Sequence, residues 1–131
     1  MVGNHDVTHK NTNELNWVQL LLSDANYKYV NYYENFETVV YQNSEIDIIP
    51  WITDDNHDEI MEKIASSNST YLMAHLELSG FEMSKGNIIK SGMSAKHFNS
   101  YKKVFTGHYH ISSERGNILY TGTPYELDWG D

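Results

Sequence analysis

Apolar positions along this chain fall in short blocks separated by turn-forming residues, and the spacing within each block names an element. Leu15, Val18 and Leu22, with Trp17 and Leu21 beside them, recur at helical spacing, so residues 12–23 are expected to form a helix capped by Asn11 or Thr12. Residues 29–33 are short and aromatic and read as a strand. The β-rich runs 36–41 and 46–51 flank Gln42-Asn43-Ser44, which predicts a hairpin; Pro50 sits near the end of the second run, where a missing N–H is tolerated. Residues 55–66 place Ile60, Met61 and Ile64 on one helical face. Residues 70–74 are an apolar run consistent with a buried strand ending at His75, and 94–101 suggest a short helix. Residues 103–106 read as a strand delivering Gly107-His108-Tyr109-His110, and the runs 111–113 and 118–120 flank Glu114-Arg115-Gly116-Asn117 as a second hairpin. Helices alternate with strands early and hairpins dominate late. The expected fold class is therefore α/β, layered, with mixed sheets.

At 131 residues the chain is one domain or part of one. Ten Tyr, four Phe and three Trp supply bulk for a core. There is no cysteine, which excludes disulfides and thiolate zinc sites; a metal would be held by oxygen and imidazole ligands, pointing to Mn, Fe, Mg or Zn. The formal net charge of −9 argues against a freestanding nucleic-acid binder that works by counterion release. The acidic group Asp54, Asp55, Asp58, Glu59 and Glu62 reads first as a solvated helix face. Polar residues follow Met1 and no apolar run reaches membrane-spanning length, so a soluble, cytoplasmic protein without a membrane partner is expected.

Candidate chemistry lies at the ends of the predicted strands. Asn4, His75 and the pair His108/His110 each follow one, where loops converge over a rigid sheet. Gly3 and Gly107 permit tight turns at those ends. In an extended His-x-His both imidazoles share a face, so His108 and His110 are expected on the same side, with Tyr109 turned away into packing. A lone histidine is usually an ordinary hydrogen-bonded residue, and His9, His57 and His97 keep that reading. Gly3-Asn4-His5-Asp6, then Ala74-His75, then Gly107-His108-Tyr109-His110, in that order, point instead to a metal centre for phosphoester cleavage.

These motifs resemble the calcineurin-like metallophosphoesterase superfamily, with its order of G-N-H-[DE], a histidine after a strand, and G-H-x-H. Within it the chain looks most like the SbcD-type recombination nucleases of the phage branch. The resemblance extends through residues 3–12, Ile49-Pro50-Trp51, residues 75–83, and Gly116-Asn117-Ile118 leading into Tyr120-Thr121-Gly122-Thr123-Pro124. It implies a partial metallophosphoesterase fold over 1–131, layered α/β/β/α. It also implies Asn4, His75 and His108 on one metal, His110 on another, and His5 as the catalytic histidine that helps protonate the leaving oxygen or stabilises the transition state. Asp6 would orient His5 or cap the loop. Two divalent metals are implied, Mn2+ first, with Mg2+, Fe2+ or Zn2+ as alternatives, one of them within reach of this chain alone. Implied partners are DNA, an SbcC-like ATPase subunit and a second copy of the chain. The family's D-x-H pair and bridging Asp come before G-N-H-D. The chain is therefore expected to be the middle of a longer nuclease subunit, weak or inactive alone, with exposed sheet edges. Two rival readings are a noncatalytic partner-binding module of the same fold and a phosphoesterase for small substrates.

Overall fold

The computed structural model describes residues 1–22 and 27–125. A six-stranded mixed sheet organises them, giving the expected α/β class. Its first two strands, β3 (Glu37–Tyr41) and β4 (Ser44–Ile49), follow a small antiparallel ribbon of β1 (Val7–His9) and β2 (Thr12–Asn16) and the helix α1 (Trp17–Leu22). The turn between β3 and β4 is two residues long, with Gln42 and Asn43 at φ of 47° and 65°. Positive φ at both central residues matches the twist of the flanking strands. Helix α2 (His57–Ser66) then crosses to β5 (Tyr71–His75), which lies parallel to β4. A ribbon of β6 (Glu82–Ser84) and β7 (Asn87–Ile88) and a 3-10 turn (Ala95–Phe98) precede β8 (Lys103–Gly107), parallel to β5. The hairpin of β9 (Ser113–Arg115) and β10 (Ile118–Tyr120) closes the order β3-β4-β5-β8-β10-β9.

The register fixes where chemistry can sit. Ile49 pairs with Ala74 and His75 with Gly107, so β4, β5 and β8 end side by side. The residues just beyond those three ends are therefore neighbours, although they are far apart in sequence. Alternation along β5 buries Leu72 and Ala74 and leaves Met73 exposed. Ile60 and Ile64 of α2 join Leu72, Val104, Ile118 and Tyr120 in one core. Among the described residues β3 pairs only with β4, and its Val40 and Tyr41 side chains are exposed.

Four local readings change. Residues 12–16 are a strand, and the helix begins only at Trp17; residue 23 lies outside the described residues. The reason is local. Thr12–Asn16 finds a partner in β1, and the Asn16 side-chain oxygen accepts the Gln19 N–H at 2.7 Å, capping the helix there. The expected apolar face is not buried either: Trp17 and Leu21 are 57% and 70% exposed. Residues 29–33 form no strand, and Tyr29 is exposed; Tyr33 serves only as carbonyl acceptor for Val2 N–H. The helix expected over 94–101 is a single 3-10 turn, and the first strand of the last hairpin starts at Ser113 rather than 111.

Candidate metal centre

Three strand ends deliver the central group. Val2 is bonded on both sides, donating to Tyr33 O and accepting from Trp51 N, which holds the segment leading to Asn4 beside the end of β4. His75 closes β5, and His108 follows β8. The two imidazoles lie 5.3 Å apart between ring centroids and share one oxygen: Asn4 Oδ1 is 2.8 Å from His75 Nε2 and 3.3 Å from His108 Nδ1. Asn4, His75 and His108 are thus brought together. Gly3 and Gly107 flank the His75 ring. A Cβ at Gly107 would meet His75 Nδ1 at 3.0 Å, and one at Gly3 would meet the same ring at 3.2 Å. The requirement for glycine here is close approach rather than a special dihedral.

His108 sits at φ of 88°, so β8 does not continue through it. The extended His-x-His geometry expected from the sequence is replaced by a bend, and strand alternation does not apply to His108 and His110. His110 is fixed through its backbone, donating to Met83 O and accepting from Thr123 N, and its imidazole is near enough for its charge to oppose that of His108. His5 is exposed, and its charge likewise opposes those of His75 and His108. The Asp6 carboxylate accepts the Gly3 N–H at 2.7 Å and closes the loop that carries Asn4 and His5. Tyr109 turns inward, stacks on Tyr120 at 4.4 Å, and donates to Leu78 O at 2.9 Å. Tyr120 accepts from Leu78 N and donates to Leu76 O, so two buried tyrosines anchor the segment after His75. Phe81 is buried against Tyr120.

Electrostatics favours neutral imidazoles. Burial, reinforced by the neighbouring charge of His108, pulls His75 from its ordinary 6.5 down to about 4. Burial also lowers His108, against an opposing pull from Glu77. A neutral ring with a free lone pair is the state a metal ligand needs. In the tautomer that donates Nδ1–H to Asn4, the lone pair of His108 falls on Nε2. That nitrogen is buried, has no hydrogen-bond partner among the described residues, and stands 3.8 Å from Glu77 Oε2. A lone pair facing a carboxylate is repulsive, and a cation between them removes the repulsion. In that tautomer His108 Nε2 and the Glu77 carboxylate would fit a divalent ion between them. Among the described residues no three His, Asp or Glu side chains gather at ligand spacing; the central group is two imidazoles and an amide oxygen.

Two members escaped the sequence reading. Trp51 packs on His108 at 5.0 Å and on His75 at 5.9 Å, and Glu77 faces His108. Both lie in segments that carry the resemblance, Ile49-Pro50-Trp51 and residues 75–83, but neither was given a role there. A cleft of about 460 Å3 opens beside them, bordered by His57 and His97 as well. His57 is half-exposed and bonded to Asp58 at 2.9 Å, and His97 is exposed, in keeping with the ordinary reading given to both.

Over its whole length the chain is similar to a phage exonuclease subunit. "Exonuclease subunit 1" of Enterobacteria phage T4 is 40% identical over 132 residues, covering 100% of this chain and 38% of the relative. The chain thus spans well under half of the curated relative it matches. No protein-family model matches the sequence. No helix among the described residues is long and apolar enough to cross a membrane.

Proposed function

We propose that residues 1–131 form part of a calcineurin-like metallophosphoesterase domain, within a nuclease subunit that hydrolyses DNA phosphodiesters at a two-metal centre. The observation that carries this reading is the convergence of His75 and His108 on the Asn4 side-chain oxygen, with His108 Nε2 buried and unpartnered on the Glu77 side of its ring. Similarity along the whole chain to a phage exonuclease subunit supports the substrate class. Asn4, His75 and His108 would hold one divalent ion, Mn2+ first, with Mg2+, Fe2+ and Zn2+ as alternatives. His110 would contribute to a second ion.

When bound, such ions supply Lewis acidity that activates water and offsets phosphate charge. The chain's own residues prepare for this. Burial keeps His75 unprotonated at neutral pH. Gly3 and Gly107 hold its ring from both sides, and Trp51 covers the two imidazoles. His5, exposed on the Asp6-braced loop, would give a proton to the leaving oxygen. A chain of charge −9 repels DNA, so bound ions or a partner must supply the attraction. The relative's name, a subunit, supports work in an assembly; an SbcC-like ATPase and a second copy are the proposed companions, in the host cytoplasm.

Titration of the purified chain with Mn2+ tests the reading. Replacing His75 or His108 with Ala should weaken binding by about ten-fold or more, the scale on which lost metal-site contacts register. His5→Ala should leave binding unchanged and remove any Mn2+-dependent cleavage of DNA or of a generic phosphodiester. Equal Mn2+ affinity in wild type and both ligand variants would overturn the metal centre. The exposed Trp17 and Leu21 favour the second reading, a noncatalytic partner-binding module, and that reading would then stand.

A further inference from the structure

The backbone just past β5 is pinned on both sides of Glu77. Leu76 N–H donates to Thr106 Oγ1 at 3.0 Å, and Leu76 O accepts from the Tyr120 hydroxyl at 2.9 Å. Leu78 N–H donates to that same hydroxyl at 3.1 Å, and Leu78 O accepts from Tyr109 at 2.9 Å. Glu77 O accepts from Met93 N at 2.9 Å. Leu76 and Leu78 are buried in the core, whereas Glu77 between them lines the cleft beside the histidine group. Gly92, at φ of 96°, backs it: a Cβ there would meet Glu77 O at 2.8 Å and Glu77 Cγ at 3.3 Å. The carboxylate so placed stands 3.8 Å from His108 Nε2.

The two nitrogens of the His108 ring face different neighbours. Nδ1 is 3.3 Å from Asn4 Oδ1, which is itself 2.8 Å from His75 Nε2. Donors each about 2.1 Å from one ion stand roughly 3–3.5 Å apart, so both contacts are close to the spacing of neighbouring ligands. With lone pairs on His75 Nε2 and His108 Nδ1 directed to a shared ion, a neutral His108 carries its proton on Nε2. That nitrogen is buried and has no hydrogen-bond partner among the described residues. A metal-bound imidazole commonly gives its other N–H to a carboxylate, which fixes the tautomer and the ring orientation. The central group, two imidazoles and an amide, has no anionic member of its own.

We propose that Glu77 is a positioning residue of the metal centre: it accepts the Nε2–H of His108 and holds that ring with Nδ1 toward the ion. This role rests on the metal reading above. The 3.8 Å separation is longer than a hydrogen bond, and the Glu77 side chain, 38% exposed, has room to close it. The opposite tautomer would put the ion between Nε2 and Glu77, away from the oxygen that Asn4 presents to both rings, and Glu77 would then be a direct ligand.

Zn2+ has a filled d shell and suits imidazole NMR. Long-range 1H–15N correlations of the full chain loaded with Zn2+, with His108 assigned by its loss in His108→Ala, should show Nδ1 metal-bound and Nε2 protonated. In calorimetric Zn2+ titrations Glu77→Ala should bind about ten-fold more weakly. Glu77→Gln keeps an acceptor oxygen and should recover part of that loss. Asp54→Asn removes the same charge from another residue of the cleft and should stay within about two-fold of wild type. The spectrum is recorded on wild type, so it decides even if Glu77→Ala melts early. A metal-bound Nε2 on His108, wild-type affinity in Glu77→Ala, or equal losses in Glu77→Ala and Asp54→Asn would overturn the positioning role and leave the metal centre standing. A wild-type chain that takes up no Zn2+ would sink both.

Discussion

Asp47→Asn would remove one oxygen from a carboxylate on which four hydroxyls converge. Asp47 is wholly buried in β4. Its Oδ1 accepts from Thr38 at 2.8 Å and Ser69 at 2.6 Å; its Oδ2 accepts from Ser67 at 2.5 Å and Tyr101 at 2.8 Å. These bonds tie β3, β4, the turn after α2 and the approach to β8 into one knot. Hydrogen bonds to a charged group contribute roughly 1.5–3 kcal/mol each. The amide keeps one acceptor oxygen and presents an NH2 to the other two hydroxyls. Thr38 is exposed and can turn to water, but Tyr101 is buried and cannot. Burial, and then the bond to Asp47, push the Tyr101 phenol above its ordinary range, so it remains a protonated donor. Allowing for the relieved desolvation of the carboxylate, the net loss is about 3 kcal/mol, a large share of the roughly 5–15 kcal/mol typical of a domain. Urea denaturation followed by tryptophan fluorescence reads it directly, as a midpoint lowered by about 1–2 M. Tyr101→Phe should cost about 1–2 kcal/mol, and the double variant should lose clearly less than the sum. A loss under about 1 kcal/mol for Asp47→Asn, or strict additivity with Tyr101→Phe, would refute the reasoning.

Two further outcomes follow from the histidine group. His75 is held near 4 against an ordinary 6.5, so above pH 6.5 both folded and unfolded chains carry it neutral and stability is intact. Between pH 6.5 and 4 the unfolded chain takes up a proton that the folded chain refuses, and about 1–3 kcal/mol is lost after allowance for the partly exposed ring. Urea midpoints at several pH values should fall more steeply for wild type than for His75→Gln; parallel curves would contradict this. Gly107→Ala would put a Cβ 3.0 Å from His75 Nδ1 and push the ring off Asn4. Mn2+ affinity should drop about ten-fold while stability falls by only about 1–3 kcal/mol. Wild-type affinity in this variant would show that the ring has room to spare.

Much of the fold was legible because its signals are local. The hairpin over 36–51, the helix with Ile60 and Ile64 inward, and the strand before His75 each rest on periodicity and turn chemistry within a few residues. The misread segment, 12–16, carries a genuine helical spacing. It became a strand because β1 lay within reach and Asn16 offered a cap four residues into the expected helix. No window over that segment alone contains either fact.

The candidate centre divides in the same way. The sequence by itself determined the candidate residues and their order, Asn4 and His5, then His75, then His108 and His110, since motif spacing needs no third dimension to be seen. It also determined that any metal would meet oxygen and nitrogen, for want of cysteine. Only the tertiary structure decided which of these side chains meet. Parallel pairing of β4, β5 and β8 puts Trp51, His75 and His108 at one end of the sheet, and the bend at His108 overrides strand alternation. Glu77 took on meaning only there. Burial and the absence of a partner are properties of the packed chain, set by contacts between residues tens of positions apart.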